Sequence, residues 1–346
     1  MQNNFWSKSI TESYIRDVLG IKKPKVLIIS IPNVWNINQK DLEPLKRIAE
    51  VSWIQTKKIT QMEIAEKCKN IDHLMLNVEC IETLTNKMER LDEKFYNHEN
   101  VSKLKSLNQD MTDCDYFNPL LAKNKLLIQD CPNTTTESVA ESAISEILLH
   151  TRKRHLAYTD ELEKKEVQCR TGINLKGKIA GIIGYGNIGS RVAEILRGFG
   201  MHIMFYDIKN MEGITPIEKI FEEAKVISLH IPILRSNGKS NINFINSKLL
   251  NKCDETILIN LATDLVVDPV AASSALKSKK LTAYSTQANY SGLFGKKYLD
   301  HFKEIKEFHI SPCSFDSPES QKNIKNVWIQ NTISAITGNP QNIWKN

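Results

Sequence analysis

The sequence lacks the long apolar run that a membrane-spanning helix needs. Its longest early apolar run, VLIISI at residues 26–31, is far too short to cross a bilayer. The first ten residues, MQNNFWSKSI, have no basic start followed by an apolar run, so no secretory signal is indicated. We therefore expect a cytoplasmic protein with no membrane partner.

The cysteines lack both a C-x-x-C pair and an even count. Seven cysteines are spread along 346 residues, which argues against a disulfide framework and against a zinc cage built on cysteine. We expect reduced thiols and predict no metal site from this pattern.

The charges lack a basic stripe interleaved with aromatic residues, the pattern typical of nucleic-acid binding. The net charge of +6 comes from 46 basic and 40 acidic residues distributed along the chain. Its short basic runs, at residues 22–25 and 277–280, are better explained as solvated helix ends. We expect no nucleic-acid partner, and a DNA-binding or scaffold protein without a cofactor has only the mild positive charge in its favour.

What the sequence does contain is a regular alternation of short apolar runs and helical patterns. Its length allows two domains with sizeable cores, and 41% hydrophobic with 25% charged residues is typical of a globular protein. From residue 178 onward, six apolar runs with helical crossovers predict a doubly wound parallel sheet. These runs are residues 178–184, 201–207, 225–232, 256–262, 281–288 and 307–312.

The N-terminal part alternates more loosely and predicts a second, smaller α/β domain. A long helical stretch from Thr136 to Leu162, with apolar residues at helical spacing, joins the two parts. The predicted N-terminal strands are residues 25–30, 51–55, 73–78 and 125–130.

Gly184, Gly186 and Gly189 form a G-x-G-x-x-G motif directly after a predicted strand and at the start of a predicted helix. The first glycine permits a tight turn, the second lets the backbone approach a pyrophosphate, and the third lets helix and strand pack closely. Asp207 ends the next strand, where its carboxylate can accept hydrogen bonds from the adenosine ribose. An acidic side chain there favours NAD over NADP, because it would repel a 2′-phosphate. A glycine turn that binds nothing is the alternative.

Six motifs resemble, in order and spacing, those of the D-2-hydroxyacid dehydrogenase family. They are SVAE (138–141), GYGNIGSRVA (184–193), SLHIP (228–232), ILIN (257–260), ALKSKKL (275–281) and ISPCS (310–314). The resemblance covers about residues 125–320 well and the N-terminal part in outline.

The resemblance implies a fold and an assembly. A Rossmann NAD-binding domain, residues 133–317, would be inserted into a smaller flavodoxin-like α/β substrate domain made of residues 1–132 and 318–346. A cleft would lie between the domains, and a homodimer would form around the long helix near SVAE.

The resemblance also implies further cofactor contacts. His230 and Pro232 match residues that flank the adenine, and Gln287 matches an Asp that holds the nicotinamide carboxamide. Taken alone, His230 would be better interpreted as a buried histidine whose ring nitrogens are hydrogen-bonded within the core. The full expected NAD set is Gly184, Gly186, Asn187, Ile188, Gly189, Asp207, His230, Pro232, Leu261, Ala262 and Gln287.

The catalytic positions depart from the family pattern. Thr263 stands where the family has the Arg that clamps the substrate carboxylate, and Asp264 replaces the following Gly. Cys313 matches the His that moves the hydroxyl proton, and Gly292 matches the carboxylate that partners this His. In the other domain, Asn108 and Asp110 align with a glycine loop that usually receives the substrate carboxylate, and an aspartate there would repel it.

These departures leave two functions open. Losing a general acid/base costs about 10²–10⁴ in rate and losing an electrostatic clamp about 10²–10³, so ordinary 2-hydroxyacid oxidation is not expected. The protein is either an NAD-dependent oxidoreductase for a small molecule that lacks the usual carboxylate, or a catalytically inactive NAD-binding homologue with a regulatory or structural role.

For the enzyme hypothesis, the candidate catalytic residues are Thr263, Cys313, Tyr290 and Asp110, with Asp264 as a further candidate group. Tyr290 could donate a proton, and Asp110 could hold a cationic amine. Each has a structural alternative: Tyr290 as a loop aromatic, Cys313 as a small apolar filler, and the neighbouring Asp264 as a helix N-terminal residue.

Overall fold

The structure is a computed structural model. It describes residues 22–81, 91–112, 126–153, 171–233, 235–236, 239–287, 295–311 and 314–344. The chain forms two compact units, one made of Met1–Thr135 with Ser317–Asn346 and the other of Thr136–Asp316.

Five parallel strands form the sheet of the first unit. They are β1 (Lys25–Ser30), β2 (Glu50–Gln55), β3 (His73–Leu76), β4 (Ser106–Gln109) and β5 (Leu127–Gln129), and helices α1 (Glu43–Ile48), α2 (Gln61–Lys67) and α3 (Glu93–Tyr96) accompany them. The spatial order is β2-β1-β3-β4-β5, which is the flavodoxin-like order. The predicted smaller flavodoxin-like domain is therefore confirmed as a fold.

Strand β4 is the element that the hydrophobic pattern does not reveal. Its sequence SLNQ contains a single apolar residue, yet all four residues are buried. Hydrogen bonds compensate for this burial: the Asn108 side chain donates to the Thr332 hydroxyl at 3.0 Å, and the Trp328 indole donates to the Asn108 carbonyl at 2.8 Å. The expectation that Asn108 lies in a loop was wrong, because the strand continues to Gln109.

Six parallel strands form the sheet of the second unit. They are β6 (Ile179–Ile183), β7 (His202–Tyr206), β8 (Val226–Leu229), β11 (Thr256–Asn260), β12 (Leu281–Gln287) and β13 (Phe308–Ser311), with a short antiparallel ribbon of β9 (Arg235–Ser236) and β10 (Lys239–Ser240) between β8 and β11. Their order is β7-β6-β8-β11-β12-β13. All six predicted strands are present, and the Rossmann-type doubly wound sheet is confirmed.

The helices of this unit alternate with its strands. They are α4 (Thr136–Arg152), α5 (Asn187–Gly198), α6 (Ile217–Glu223), α7 (Ser247–Leu250), α8 (Pro269–Lys277) and α9 (Gly295–Asp300). Such crossovers are what parallel neighbouring strands require.

Helix α4 ends at Arg152, earlier than the sequence pattern predicted. Lys153 has a φ of +50°, which is left-handed and stops the helix. The Thr151 carbonyl instead accepts a hydrogen bond from the amide of Ile173 at 2.9 Å. The rest of the predicted helix, residues 154–162, lies outside the described residues.

The chain returns to the first unit through its C-terminal helix, α10 (Pro318–Ile336). Ser317 caps the helix by accepting a hydrogen bond from the Ser320 amide at 3.1 Å. Trp328 is completely buried and joins Val26 and Ile28 in the core of this unit. Among the described residues, no helix has both the length and the apolar character needed to cross a membrane.

Four of the seven cysteines, Cys68, Cys80, Cys131 and Cys253, are described, and all four are buried free thiols. Burial raises the pKa of Cys68 to about 12 and that of Cys253 to about 11. For these residues the expectation of reduced thiols is confirmed. Cys114, Cys169 and Cys313 lie outside the described residues.

Candidate functional site

Two glycines of the G-x-G-x-x-G motif are required by the packing of the second unit. Gly184 has a φ of +92°, and a Cβ atom there would lie 2.4 Å from the His230 carbonyl oxygen. A Cβ on Gly189 would lie 1.9 Å from the Gly184 carbonyl oxygen. Any side chain at either position would push apart β6, β8 and the start of α5.

Gly186 differs from the other two because nothing lies within 4 Å of the Cβ it would carry. It is the N-cap of α5, a helix of 12 residues with no acidic residue in its first turn. The open space therefore faces the N–H groups and positive potential of a helix N-terminus, where Asn187, Ile188 and Gly189 begin the helix. These residues fit a pyrophosphate group.

Asp207 lies at the carboxyl end of β7, next to the glycine loop. Its carboxylate accepts hydrogen bonds from the Tyr185 amide at 2.7 Å and from the Lys209 amide at 2.9 Å. Each carboxylate oxygen is thus oriented by one backbone amide. The carboxylate is part-buried, and each oxygen has a further lone pair that can accept a hydrogen bond from a ribose hydroxyl. The structure thus brings together the glycines and the acidic residue that the sequence predicted to act jointly.

His230 follows β8 and contacts the same loop through its backbone. Its amide donates to the Ile183 carbonyl at 2.7 Å, and its Nε2 lies 2.9 Å from the Ser228 hydroxyl. Burial lowers the pKa of His230 to about 4, so the ring is neutral at pH 7. Pro232, two residues further on, is exposed.

The end of β11 is organised by Asn260. Its side-chain amide donates to the Thr263 carbonyl at 2.8 Å, and its oxygen accepts from the Ala262 amide at 3.2 Å. This bridge closes the turn in which Leu261 is buried and Ala262 is part-buried.

Thr263 is only 2% exposed and caps the short 3₁₀ turn of residues 264–266. Its hydroxyl accepts from the Leu265 amide at 3.4 Å and lies 3.4 Å from a carboxylate oxygen of Asp264. The residue that the sequence resemblance predicts to match the family's Arg is therefore an uncharged side chain engaged in local hydrogen bonds.

Asp264 is the residue near this turn that sequence reasoning undervalued. It is 8% exposed, and burial raises the pKa of its carboxyl to about 6 although the Thr263 hydroxyl opposes the shift. A carboxyl with this pKa changes charge close to neutral pH, which suits a general acid or base. The apolar run Leu265–Val267 that follows it was the sequence signal for a buried environment.

Gln287 is the last residue of β12, and its side-chain oxygen accepts a hydrogen bond of 2.5 Å from the Ser314 hydroxyl. This contact fixes the orientation of the amide, whose nitrogen is a donor for a carbonyl group such as that of a carboxamide. The other predicted residues of this region, Tyr290, Gly292 and Cys313, lie outside the described residues.

Asp110 belongs to the first unit and is fully buried there. Its carboxylate accepts from the Trp35 indole and the Asn77 amide, each at 2.6 Å, and from the Val78 backbone amide at 3.3 Å. Burial raises the pKa of Asp110 to about 6, against the lowering effect of these donors. Its hydrogen-bonding capacity is therefore largely used by its own unit.

One further group of polar residues in the second unit was not predicted from the sequence. Glu146 and His150 on α4, together with His309 on β13, place a carboxylate oxygen and two ring nitrogens within 4.8 Å of one another. An E-x-x-x-H spacing on an otherwise apolar helix face was the available signal.

Comparison with known proteins agrees with this geometry. Residues 145–287 match a sequence model described as the D-isomer specific 2-hydroxyacid dehydrogenase, NAD binding domain. The chain is 31% identical over 250 residues to a 2-hydroxyacid dehydrogenase homolog of Haemophilus influenzae, covering 65% of this chain and 74% of that protein. It is 32% identical over 206 residues to D-3-phosphoglycerate dehydrogenase of the same organism, where the match covers 56% of this chain and about half, 49%, of that protein.

Solved structures show the same fold over nearly the whole chain. A glyoxylate reductase from Paecilomyes thermophila has a TM-score of 0.78 at 18% identity, with 93% of this chain and 98% of that chain covered. The D-lactate dehydrogenase from Escherichia coli has a TM-score of 0.70 at 20% identity, with 92% and 98% covered. The two α/β units, the glycine loop with Asp207 and the sequence matches lead to one conclusion: this chain belongs to the D-isomer specific 2-hydroxyacid dehydrogenase family and contains the NAD-binding domain of that family.

Proposed function

We propose that this protein is an NAD-dependent oxidoreductase whose substrate lacks a carboxylate at the place usual for the family. The observation that carries the proposal is a contrast within the second unit. The glycine loop and Asp207 offer space and hydrogen-bonding groups for NAD, whereas Thr263, at the position of the substrate-clamping Arg, is uncharged and buried. Burying a substrate carboxylate without a cationic partner would be strongly unfavourable.

In this proposal the residues of the chain have separate roles. NAD, when bound, supplies the carrier of the hydride. The N–H groups at the start of α5 hold the pyrophosphate, Asp207 accepts from the ribose, and Gln287 orients the carboxamide. Asp264 takes or gives a proton at its carboxylate oxygen, because its pKa of about 6 allows both forms near neutral pH. Tyr290 and Cys313 stay candidates for the same task.

A catalytically inactive NAD-binding homologue is the second candidate. The observation that favours it is that Thr263 and Asp110 are each engaged in hydrogen bonds within their own unit, as structural residues are. The cofactor would then stabilise one arrangement of the protein, and its surface would perform the function. A homodimer built around α4 stays a prediction for both candidates.

The glycine loop gives a matched test of NAD binding. Neither Gly186 nor Gly198 has any atom within 4 Å of the Cβ it would carry, so both accept alanine without a clash inside the protein. Only Gly186 faces the proposed pyrophosphate position, so Gly186→Ala should weaken NAD binding by about 10-fold or more, about 1.4 kcal/mol. Gly198→Ala, at the other end of α5, should bind as the wild type does. Calorimetric titration with NAD measures the affinity of both variants. Equal affinities would contradict the proposed pyrophosphate site at the start of α5.

Asp207 should make the protein prefer NAD over NADP, because its carboxylate lies where a 2′-phosphate would approach. Titration of the wild type with each cofactor should give the lower Kd for NAD. Asp207→Asn keeps the shape and removes the charge, so the ratio of the two Kd values should move toward one. Equal wild-type affinities, or no heat with either cofactor, would remove the basis for the NAD-binding roles proposed here.

Ordinary substrates of the family should not be turned over. We expect a panel of 2-hydroxy and 2-oxo acids to show no NAD-linked absorbance change above background at saturating cofactor over a range of pH. Thr263→Arg with Cys313→His should not create robust activity either, since Gly292 supplies no carboxylate and Asp110 disfavours an anion. Turnover of one simple 2-oxo acid at about 1–10³ s⁻¹ would disprove both candidate functions.

The pKa of Asp264 predicts a pH dependence of stability. Because the folded pKa of about 6 lies above an unfolded pKa of about 3.9, the folded state binds more protons between these values, and its stability falls as pH rises through the window. Asp264→Asn removes this loss, so between pH 4 and 7 the variant should gain on the order of 3 kcal/mol relative to wild type. Urea unfolding across this range measures the difference. Asp254→Asn, at an exposed aspartate of the same unit, is the control. If the unfolding free energies of wild type and Asp264→Asn changed in parallel with pH, the prediction would be contradicted.

A further inference from the structure

A buried polar cluster lies between α4, β12 and β13 in the second unit. It consists of Glu146 and His150 on α4, Ser285 on β12 and His309 on β13. Glu146 and His150 are four residues apart and so project from the same face of the helix. Ser285 and His309 are register partners on neighbouring strands, which brings both toward this face.

The contacts within the cluster are short. Oε2 of Glu146 lies 2.9 Å from Nδ1 of His309 and 4.0 Å from Nε2 of His150. The Ser285 hydroxyl lies 2.7 Å from the same Glu146 oxygen and 2.6 Å from Nε2 of His150. The two imidazole rings are 6.0 Å apart between centroids and nearly perpendicular, at 78°.

Packing alone does not account for this cluster. The rest of the buried face of α4 is mainly apolar, with Val139, Ala143 and Ile147 in the core. Desolvation makes a buried charged cluster costly, and well-packed apolar residues in its place are often neutral or stabilising. A buried carboxylate beside two imidazoles is also a common arrangement for holding a metal ion.

We propose that Glu146, His150 and His309 bind a divalent transition-metal ion, with Zn²⁺ as the first candidate. Zinc takes imidazole nitrogens and carboxylate oxygens at about 2.0–2.2 Å, which places neighbouring ligand atoms of a tetrahedral site about 3.3 Å apart. The separations of 2.9 and 4.0 Å lie on either side of this value. The third separation, between the two ring nitrogens, is at most 4.8 Å, so side-chain adjustments on the order of 1 Å would create the site.

The surroundings provide what a metal site needs beyond its ligands. The hydroxyl of Ser285 hydrogen-bonds to Glu146 and orients its carboxylate. The His309 side chain is 38% exposed, which gives an ion a path from solvent and leaves a water molecule room to complete the coordination. Because both coordinating ring nitrogens must be unprotonated, a proton on Nδ1 of His309 or on Nε2 of His150 moves to the other nitrogen of its ring or to solvent when the ion binds.

This site is independent of the proposed NAD chemistry. The earlier expectation of no metal rested on the cysteine pattern, and the cluster contains no cysteine. Failure of NAD binding would leave the proposal unchanged, because the two ligands are titrated separately.

Calorimetric titration of the metal-free, untagged full chain with Zn²⁺ tests the proposal. We expect one site per chain with a Kd in the micromolar range or tighter. His309→Ala and Glu146→Gln should each weaken binding by at least about 100-fold, because the loss of outer-shell partners alone weakens metal sites by about 10–100-fold. His202→Ala, at an exposed histidine on β7, should leave the affinity unchanged. His309 is part-exposed, so its alanine variant is expected to fold, and circular dichroism checks this.

Substitution with Co²⁺ identifies the ligands independently of affinity. We expect visible d–d bands typical of nitrogen and oxygen ligands, no thiolate-to-cobalt charge-transfer band, and loss of the d–d bands in His309→Ala. Absence of Zn²⁺ binding, equal affinity of wild type and His309→Ala, or a thiolate charge-transfer band would each overturn the proposal. The last result would assign the ion to cysteines instead.

Discussion

The close backbone packing around Gly184 is the constraint on which the cofactor region depends. The chain leaves β6 through a left-handed residue, directly beside the His230 carbonyl, and Gly189 then packs against the Gly184 carbonyl. This double contact fixes where α5 begins and directs its free N–H groups into open space at Gly186. The hydrogen bond from the Tyr185 amide to Asp207 then joins the end of β7 to the same loop. A larger residue at either packed glycine would therefore disturb the start of α5 and the Tyr185–Asp207 contact together.

Three buried carboxylates show how the immediate partners decide the charge of a side chain. Desolvation dominates at Asp110 and Asp264 and raises the pKa of each to about 6. Burial acts in the same direction at Glu146, but hydrogen bonds from His309 and Ser285 outweigh it and lower the pKa of Glu146. Glu146 thus stays ionised at lower pH than Asp110 and Asp264 do, and it is also the carboxylate beside two imidazoles. This difference separates a candidate proton-transfer group from a candidate metal ligand.

Family membership and an uncharged residue at position 263 are compatible, because the glycine loop and the turn after β11 are different parts of the fold. The glycine loop belongs to the packing of the sheet and is retained with it, since its geometry is also needed for stability. Thr263 lies in a turn that the Asn260 side chain closes by bonding to two backbone groups, so the turn is held without a charged residue at position 263. The fold can therefore persist while the substrate chemistry changes.

The sequence by itself determined the two α/β units, ten of the eleven strands of the two large sheets and the cofactor loop with Asp207. These follow from local signals, namely apolar runs, helical spacing and glycines at fixed intervals. The sequence did not reveal β4, because the strand has a single apolar residue and Asn108 is held by Thr332 and Trp328 of α10, which is distant in the chain. Only the tertiary structure decided that Thr263 is a buried cap, that Asp264 is desolvated, and that His309 meets Glu146 across 163 residues. Burial and hydrogen-bond partnership depend on which distant segments meet, and no local pattern encodes that.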